Sequence, residues 1–211
     1  MAAVQVSRHP LVLQRLAHLR HKDTSTAEFR RVVRELAQLL FYEATTDLAL
    51  RPIVVPTPLA RCQSHELAER VALIPILRAG LGMAEAILDL VPSAQVWHLG
   101  IYRDHATSKP VLYYNPLPDR PNIDLAFIVD PMLATGGSAI FSIDVLKKLG
   151  VQRLKFLGLI AAPEGIANME RTHPDVPIHL AAVDEALNAQ NYILPGLGDA
   201  GDRQFGTGKP S

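Results

Sequence analysis

From Val71 onward the chain falls into five compact apolar runs, Val71–Leu77, Gln95–Tyr102, Leu125–Val129, Leu154–Ile160 and Ile178–Val183, separated by stretches of mixed polarity. Short runs without polar alternation suit strands buried on both faces, and parallel sheets are where such strands occur. Parallel neighbours need crossover connections, usually helical. Gly82–Leu90 and Ala139–Leu149 fill that role best, and Ala139, Ile143 and Leu146 share one helical face. Gly150 then supplies a C-terminal cap. The expected fold is α/β, a mostly parallel sheet flanked by helices, with the five runs in one sheet. At 211 residues the chain suits one domain.

The segment ahead of the alternation, residues 1–50, is expected to be helical. Ser25-Thr26-Ala27-Glu28 has capping-box spacing, and Phe29, Val32, Val33, Leu36 and Leu40 follow on one face, which predicts a helix over about 26–44. Leu11, Leu13, Leu16 and Leu19 mark a shorter element that starts near Pro10, ends near His21-Lys22-Asp23 and is expected to pack on a second subunit. Around Ile53-Val54-Val55 the prolines 52, 56 and 58 permit only a short or edge strand. Within the core, 51–190, the segment Asp104–Asp124 carries four prolines around Val111-Leu112-Tyr113-Tyr114 and predicts a protruding hairpin or lid. The glycine-rich tail, 191–211, is the second site-covering segment expected.

Lys plus Arg and Asp plus Glu both number 21, so no broad electropositive surface for nucleic acid is implied. A single cysteine, Cys62, excludes an internal disulfide, and no His and Cys cluster has zinc-ligand spacing. No apolar run reaches membrane-spanning length, and the N-terminus lacks the apolar centre of a signal peptide, so a cytoplasmic protein with no membrane partner is expected.

The run Ala126-Phe127-Ile128-Val129 ends in Asp130, a charge that is costly to bury without a partner. Open parallel sheets bind ligands at the carboxyl ends of their strands. The following Thr135-Gly136-Gly137-Ser138 leads into the helix expected near Ala139, and offers hydroxyls, close backbone approach and a helix N-terminus to an anion. Locally it reads equally well as a strand-to-helix turn capped by Ser138. The lysine and spacing of a Walker loop are absent. Gly196, Gly198 and Gly201 match G-x-G-x-x-G, but so near the C-terminus no crossover helix or ribose-binding acid can follow, which excludes a dinucleotide site.

An apolar strand, one acid, a spacer and Thr-Gly-Gly-Ser resemble the 5-phosphoribosyl 1-diphosphate signature of the phosphoribosyltransferases. Many of them carry two adjacent acids here, whereas this chain has Asp130-Pro131, and the whole segment Asp130-Pro131-Met132-Leu133-Ala134-Thr135-Gly136-Gly137-Ser138 resembles the uracil phosphoribosyltransferase branch. Three further segments agree. Ile76–Gly82 resembles the diphosphate loop, with Arg78 on diphosphate oxygens, although a surface arginine after a strand is also admissible. Ile101-Tyr102-Arg103-Asp104 resembles the start of the mobile hairpin, where Arg103 reaches the same group or else pairs with a loop acid. The stretch Tyr192–Arg203 resembles the uracil-binding hood, in which backbone groups of Ile193, Gly198 and Ala200 complement the uracil edge. Asp199 would lie near the ribosyl diphosphate and its magnesium, or it is simply a turn aspartate.

The resemblance implies a phosphoribosyltransferase-like fold with a hairpin lid and a C-terminal hood. It implies transfer of phosphoribosyl to uracil, Mg2+ held mainly through diphosphate and water, and a homodimer or higher assembly. A GTP effector belongs to the same implied set. Asp199 and Arg103 are the implied catalytic residues, Asp199 acting either on magnesium-bound water or on the uracil N1 proton. Two other readings stay open at this level: an RNA-binding, pyrimidine-responsive regulator on the same fold, which the balanced charge disfavours, and a different nucleobase as acceptor.

Overall fold

The computed structural model describes residues 3–103, 110–114 and 121–208, and of residues 100–103 and 110–114 it describes the backbone. A short strand β1 (Val4–Val6) leads into helices α1 (Pro10–Arg20) and α2 (Thr26–Ala44). Ser25 caps α2 by accepting from the Glu28 N–H at 3.3 Å, while the Glu28 carboxylate turns outward to Arg31. Val12, Leu16 and Leu19 form the buried side of α1, whereas Leu11 and Leu13 are each 50% exposed. Of the four leucines that mark this element, Leu16 and Leu19 face the core and Leu11 and Leu13 face outward.

Strands β2 (Leu50–Pro56) and β3 (Arg61–Leu67) form an antiparallel ribbon over seven paired positions, longer than the prolines suggested. A two-stranded ribbon has two free edges, so Pro52 and Pro56 forfeit no ladder bond on their outer sides. Then come β4 (Val71–Pro75), α3 (Leu81–Leu90), β5 (Gln95–Val96), and the hairpin β6 (Gly100–Arg103) with β7 (Pro110–Tyr114). The paired strands of the expected lid therefore begin earlier, at Gly100, and residues 104–109 and 115–120 lie outside the described residues.

The remaining elements are β8 (Leu125–Val129), β9 (Met132–Leu133), α4 (Gly137–Lys148), β10 (Leu154–Leu157), β11 (Ile160–Ala161) and α5 (Pro163–Thr172). They are followed by β12 (Ile178–Leu180), β13 (Ala182–Val183), β14 (Ala186–Leu187), β15 (Ile193–Leu194) and α6 (Ala200–Phe205). The main sheet has six strands in the order β1-β12-β10-β8-β4-β5, and every pair in it is parallel. Both faces are covered. Leu73, Phe127 and Leu157 point into the core shared with α1, α2 and α3, while the alternate residues Ile74, Ile128 and Phe156 pack with Ile143 and Leu146 of α4 and Met169 of α5. Lys155, a charge on central strand β10, is buried but bonded to the Ala44 carbonyl at 2.7 Å and the Asp47 carboxylate at 2.5 Å.

The five apolar runs do not share one sheet. Leu154–Ile160 and Ile178–Val183 each divide, and β9, β11 and β13 form a separate three-stranded parallel sheet beyond the carboxyl ends of β8, β10 and β12. The cause is a shared bend. The Pro131 carbonyl accepts from both Leu159 and Ile160, and the Leu159 carbonyl from both Ala181 and Ala182. Two donors opposing one acceptor is the arrangement of a β-bulge, which turns the strands away from the first sheet. Gln95–Tyr102 also divides, with β5 in the main sheet, Leu99 bridging to Ile76 and β6 in the hairpin.

Candidate active site

Asp130 stands where β8 meets the shared bend, at the carboxyl end of the sheet's centre. The Met132 backbone N–H donates to its Oδ1 at 3.2 Å. Burial pushes its carboxyl up to about 7; the Met132 hydrogen bond opposes the rise and the Asp199 charge adds to it. A carboxyl so poised at the end of a buried strand is where functional titratable groups gather.

After β9 the chain turns into α4 through Ala134–Gly136. Gly136 occupies the N-cap with φ +81°, and no side chain caps it. Ser138 lies inside the helix and does not cap the turn; its carbonyl accepts from the Ser142 hydroxyl at 2.9 Å. Thr135 Oγ1 accepts from the Gly137 N–H at 3.4 Å. The first-turn N–H groups of a helix have no intrahelical acceptor, and here they open into a cradle of about 60 Å³ lined by Asp130 and Met132–Ala139. The loop is braced from behind by α5. Asn168 Nδ2 donates to the Thr135 carbonyl at 3.1 Å. A Cβ on Gly165 would sit 2.3 Å from the Ala134 carbonyl oxygen, so the backbones touch there as only glycine allows.

A larger cavity of about 340 Å³ adjoins the cradle, lined by Ile76, Leu77, Arg78, Ala79, Asp130, Met132, Ala134, Asp199 and Gly201. Arg78 is exposed; its Nη2 lies 3.3 Å from Asp202 Oδ1 and its Nη1 3.4 Å from Thr207 Oγ1. The Leu77–Arg78 peptide is cis. Asp199 is the N-cap of α6, with Oδ1 accepting from the Asp202 N–H at 2.8 Å. Gln204, fully buried on α6, donates through Nε2 to the Ala79 carbonyl at 2.9 Å, tying the tail to the loop that carries Arg78.

The structure thus gathers Arg78, Asp130, Met132, Ala134 and Asp199 around one cavity, with Leu133 and Thr135–Ser138 in the adjoining cradle. Pro131 lines neither; it is buried, and its carbonyl holds the bend. Ile193 is buried in the core, Ala200 is buried at the start of α6, and Gly198 has φ +77° between them. The Arg103 side chain lies outside the described residues. The helix after the glycine tail has six residues, and no strand follows it among the described residues, so the G-x-G-x-x-G match has no crossover. Sequence reasoning missed Gly165, Asn168, Asp202 and Gln204, each of which acts on a loop far away in the chain.

A family model described as uracil phosphoribosyltransferase matches residues 6–207. The chain belongs to the uracil phosphoribosyltransferase family. A uracil phosphoribosyltransferase of Roseiflexus sp. (strain RS-1) is 62% identical over 208 residues, covering 99% of this chain and 100% of that one. Its counterpart from Symbiobacterium thermophilum is 53% identical, covering 98% and 100%. Among solved structures, the AQ2163 protein from Aquifex aeolicus superposes with a TM-score of 0.90 at 38% identity, covering 96% of this chain and 97% of that one. An adenine phosphoribosyltransferase from Thermoanaerobacter pseudethanolicus, 10% identical, has a TM-score of 0.50 over 75% of this chain and 84% of its own, a likeness of fold alone.

Proposed function

We propose that the chain converts uracil and 5-phospho-α-D-ribose 1-diphosphate to UMP and diphosphate, a salvage reaction for pyrimidines. The observation that carries this reading is the single cavity where Arg78, Asp130 and Asp199 meet beside the Thr135–Ser138 cradle, in a chain that matches the family almost end to end.

In this reading the cradle takes the 5-phosphate and Asp130 orients the ribose hydroxyls. Arg78, with Arg103 from the hairpin, neutralises the departing diphosphate. The bond between the anomeric carbon and diphosphate oxygen breaks as uracil N1 bonds to that carbon, and the N1 proton is released to water. Positive charge develops on the ribose ring, and no covalent enzyme intermediate is needed. Backbone groups of Ile193, Gly198 and Ala200 meet the uracil edge. Cytosine would place its amino group against a donor, and one buried unsatisfied group costs roughly 1–3 kcal/mol.

The donor set fits Mg2+. Asp130 and Asp199 are hard oxygen donors on one cavity; burial makes the Asp130 charge costly and the Asp199 charge adds to that cost, which a cation relieves. No group of three or more metal-binding side chains occurs among the described residues, so diphosphate and water would hold most of the ion, near Asp199. Bound there it supplies positive charge to the leaving group. A cytoplasmic setting, a homodimer or higher assembly and GTP as an effector complete the reading. No helix among the described residues is long and apolar enough to cross a membrane.

The deciding experiment incubates the protein with the diphosphate donor, Mg2+ and either uracil, cytosine or hypoxanthine, and follows nucleotide and diphosphate. UMP from uracil alone is expected. Product from another base would reassign the acceptor, and no product with salt-sensitive RNA binding would favour a regulator.

A further inference from the structure

The turn between β15 and α6 is held from outside the cavity by two residues 164 positions apart in the chain. Arg20, the last residue of α1, donates from Nη1 to Asp184 Oδ2 at 2.7 Å and from Nη2 to Asp184 Oδ1. The same Nη1 donates to the Gly196 carbonyl at 2.8 Å. Asp184, buried just past β13, accepts in turn from the Gly196 N–H at 2.9 Å. The ion pair therefore grips both polar groups of one glycine. That glycine has no freedom to be replaced: its φ is +66°, and a Cβ there would lie 2.1 Å from the Ile193 carbonyl oxygen.

Gly196 sits between Ile193 on one side and Gly198 and Ala200 on the other, the residues assigned to the uracil edge. A second arginine reinforces the same turn, since Arg203 Nη1 donates to the Leu197 carbonyl at 2.7 Å and to the Leu19 carbonyl at 2.9 Å. Recognition through backbone groups leaves no side chain at the base to adjust, so the placement of the turn must be set elsewhere. We propose that Arg20 and Asp184 are positioning residues for nucleobase recognition, pre-setting the turn so that its backbone groups match uracil before the base arrives. The proposal rests on the uracil reading of this turn.

The fork of Arg20 is what the geometry requires, because a lysine is a single point donor and cannot span both carboxylate oxygens while reaching the Gly196 carbonyl. Arg20→Lys and Asp184→Asn are therefore compared with the wild type and with Gly198→Ala, which perturbs the turn directly. Uracil is varied at saturating diphosphate donor, then the donor at saturating uracil, with melting followed in parallel. The expected result for Arg20→Lys is a KM for uracil raised roughly tenfold or more, from the loss of a charge-assisted bond, a smaller rise for Asp184→Asn, and a reduced preference for uracil over cytosine. The KM for the donor stays near wild type.

A role in folding alone would lower the melting temperature and the active fraction while leaving both KM values unchanged, and that result overturns the proposal. A normal KM for uracil in Arg20→Lys alongside a raised one in Gly198→Ala overturns it while sparing the uracil reading; a normal KM in both removes the reading as well. Hydrogen exchange on the wild type gives a test independent of any variant. The Gly196 amide should be protected before uracil is added, and protection that appears only with uracil would show that the turn is not pre-set.

Discussion

Asp130 and Asp199 face one cavity, the first at the end of a central strand and the second capping helix α6; burial pushes the Asp130 carboxyl up to about 7 and the charge of Asp199 adds to the rise. One acid is fixed by the sheet and the other by the tail.

The raised pKa has a defined sign for stability. The value of about 7 in the folded chain lies above the unfolded value of about 3.9, so between them the folded state holds more protons. This group's contribution to stability is complete below the unfolded value and falls as pH rises toward the folded one. Ligand-free wild type should therefore lose melting temperature relative to Asp130→Asn between about pH 4 and about pH 7. Parallel melting curves for the two proteins would count against the shift. If the carboxylate orients ribose, kcat/KM for the diphosphate donor should rise as the pH passes about 7, where the folded enzyme's Asp130 loses its proton.

Asp199 needs a variant that separates chemistry from capping. Asp199→Ala removes the acceptor for the Asp202 N–H and is expected to cost about 1 kcal/mol of stability from the lost cap. Asp199→Asn keeps an acceptor there. It should melt close to wild type yet turn over at least ~100-fold more slowly if the charge is catalytic. Full activity of the asparagine variant would leave Asp199 with the cap alone.

Arg78 is exposed, and its partners among the described residues belong to the tail, so Arg78→Ala should leave the melting temperature nearly unchanged. Its kcat/KM for the diphosphate donor should fall at least ~100-fold, the order expected on losing a charge-assisted contact to a leaving group. Wild-type kinetics in this variant would remove the arginine from the clamp.

Behind the cradle, Gly165→Ala places a methyl group where the Ala134 carbonyl now lies. The loop must move. The KM for the diphosphate donor is expected to rise and the melting temperature to drop, whereas Gly150→Ala, at a glycine with open space around it, should affect stability through its positive φ without touching that KM. Equal kinetics in the two variants would show that the contact does not shape the cradle.

Magnesium gives the simplest assay. Turnover should collapse in excess chelator and return on addition of the metal, and activity that ignores the chelator would remove the cation from the scheme.

The parallel sheet was legible because strands such as Leu125–Val129 are apolar at every position, a pattern that water-facing strands do not tolerate. Helix α2 was legible from Ser25 and its apolar face for the same local reason. The division of Leu154–Ile160 was not, because the bend depends on which carbonyl meets two N–H groups from a neighbouring strand, and pairing register is absent from a single segment. Helix α5 carried a signal, Pro163 at its first position, which sequence reasoning passed over. The cradle and Arg78 stood out as glycines and a cation at strand ends, whereas Asn168, Asp202 and Gln204 are ordinary helix residues whose targets lie 33, 124 and 125 positions away. Their importance arises only when the chain closes on itself.

The shared bend at Pro131 and Leu159 bears on how this chain can be re-engineered. Three strand ends step sideways together, each locked to the next by a carbonyl with two donors, so a one-residue insertion between Asp130 and Met132 would have to be matched in both neighbouring strands to keep their stagger. Among the described residues, the β2–β3 ribbon that carries the Thr57–Ala60 turn pairs with no further strand. Length variation, circular permutation and fused tags are therefore best placed at that turn, where a change stays local.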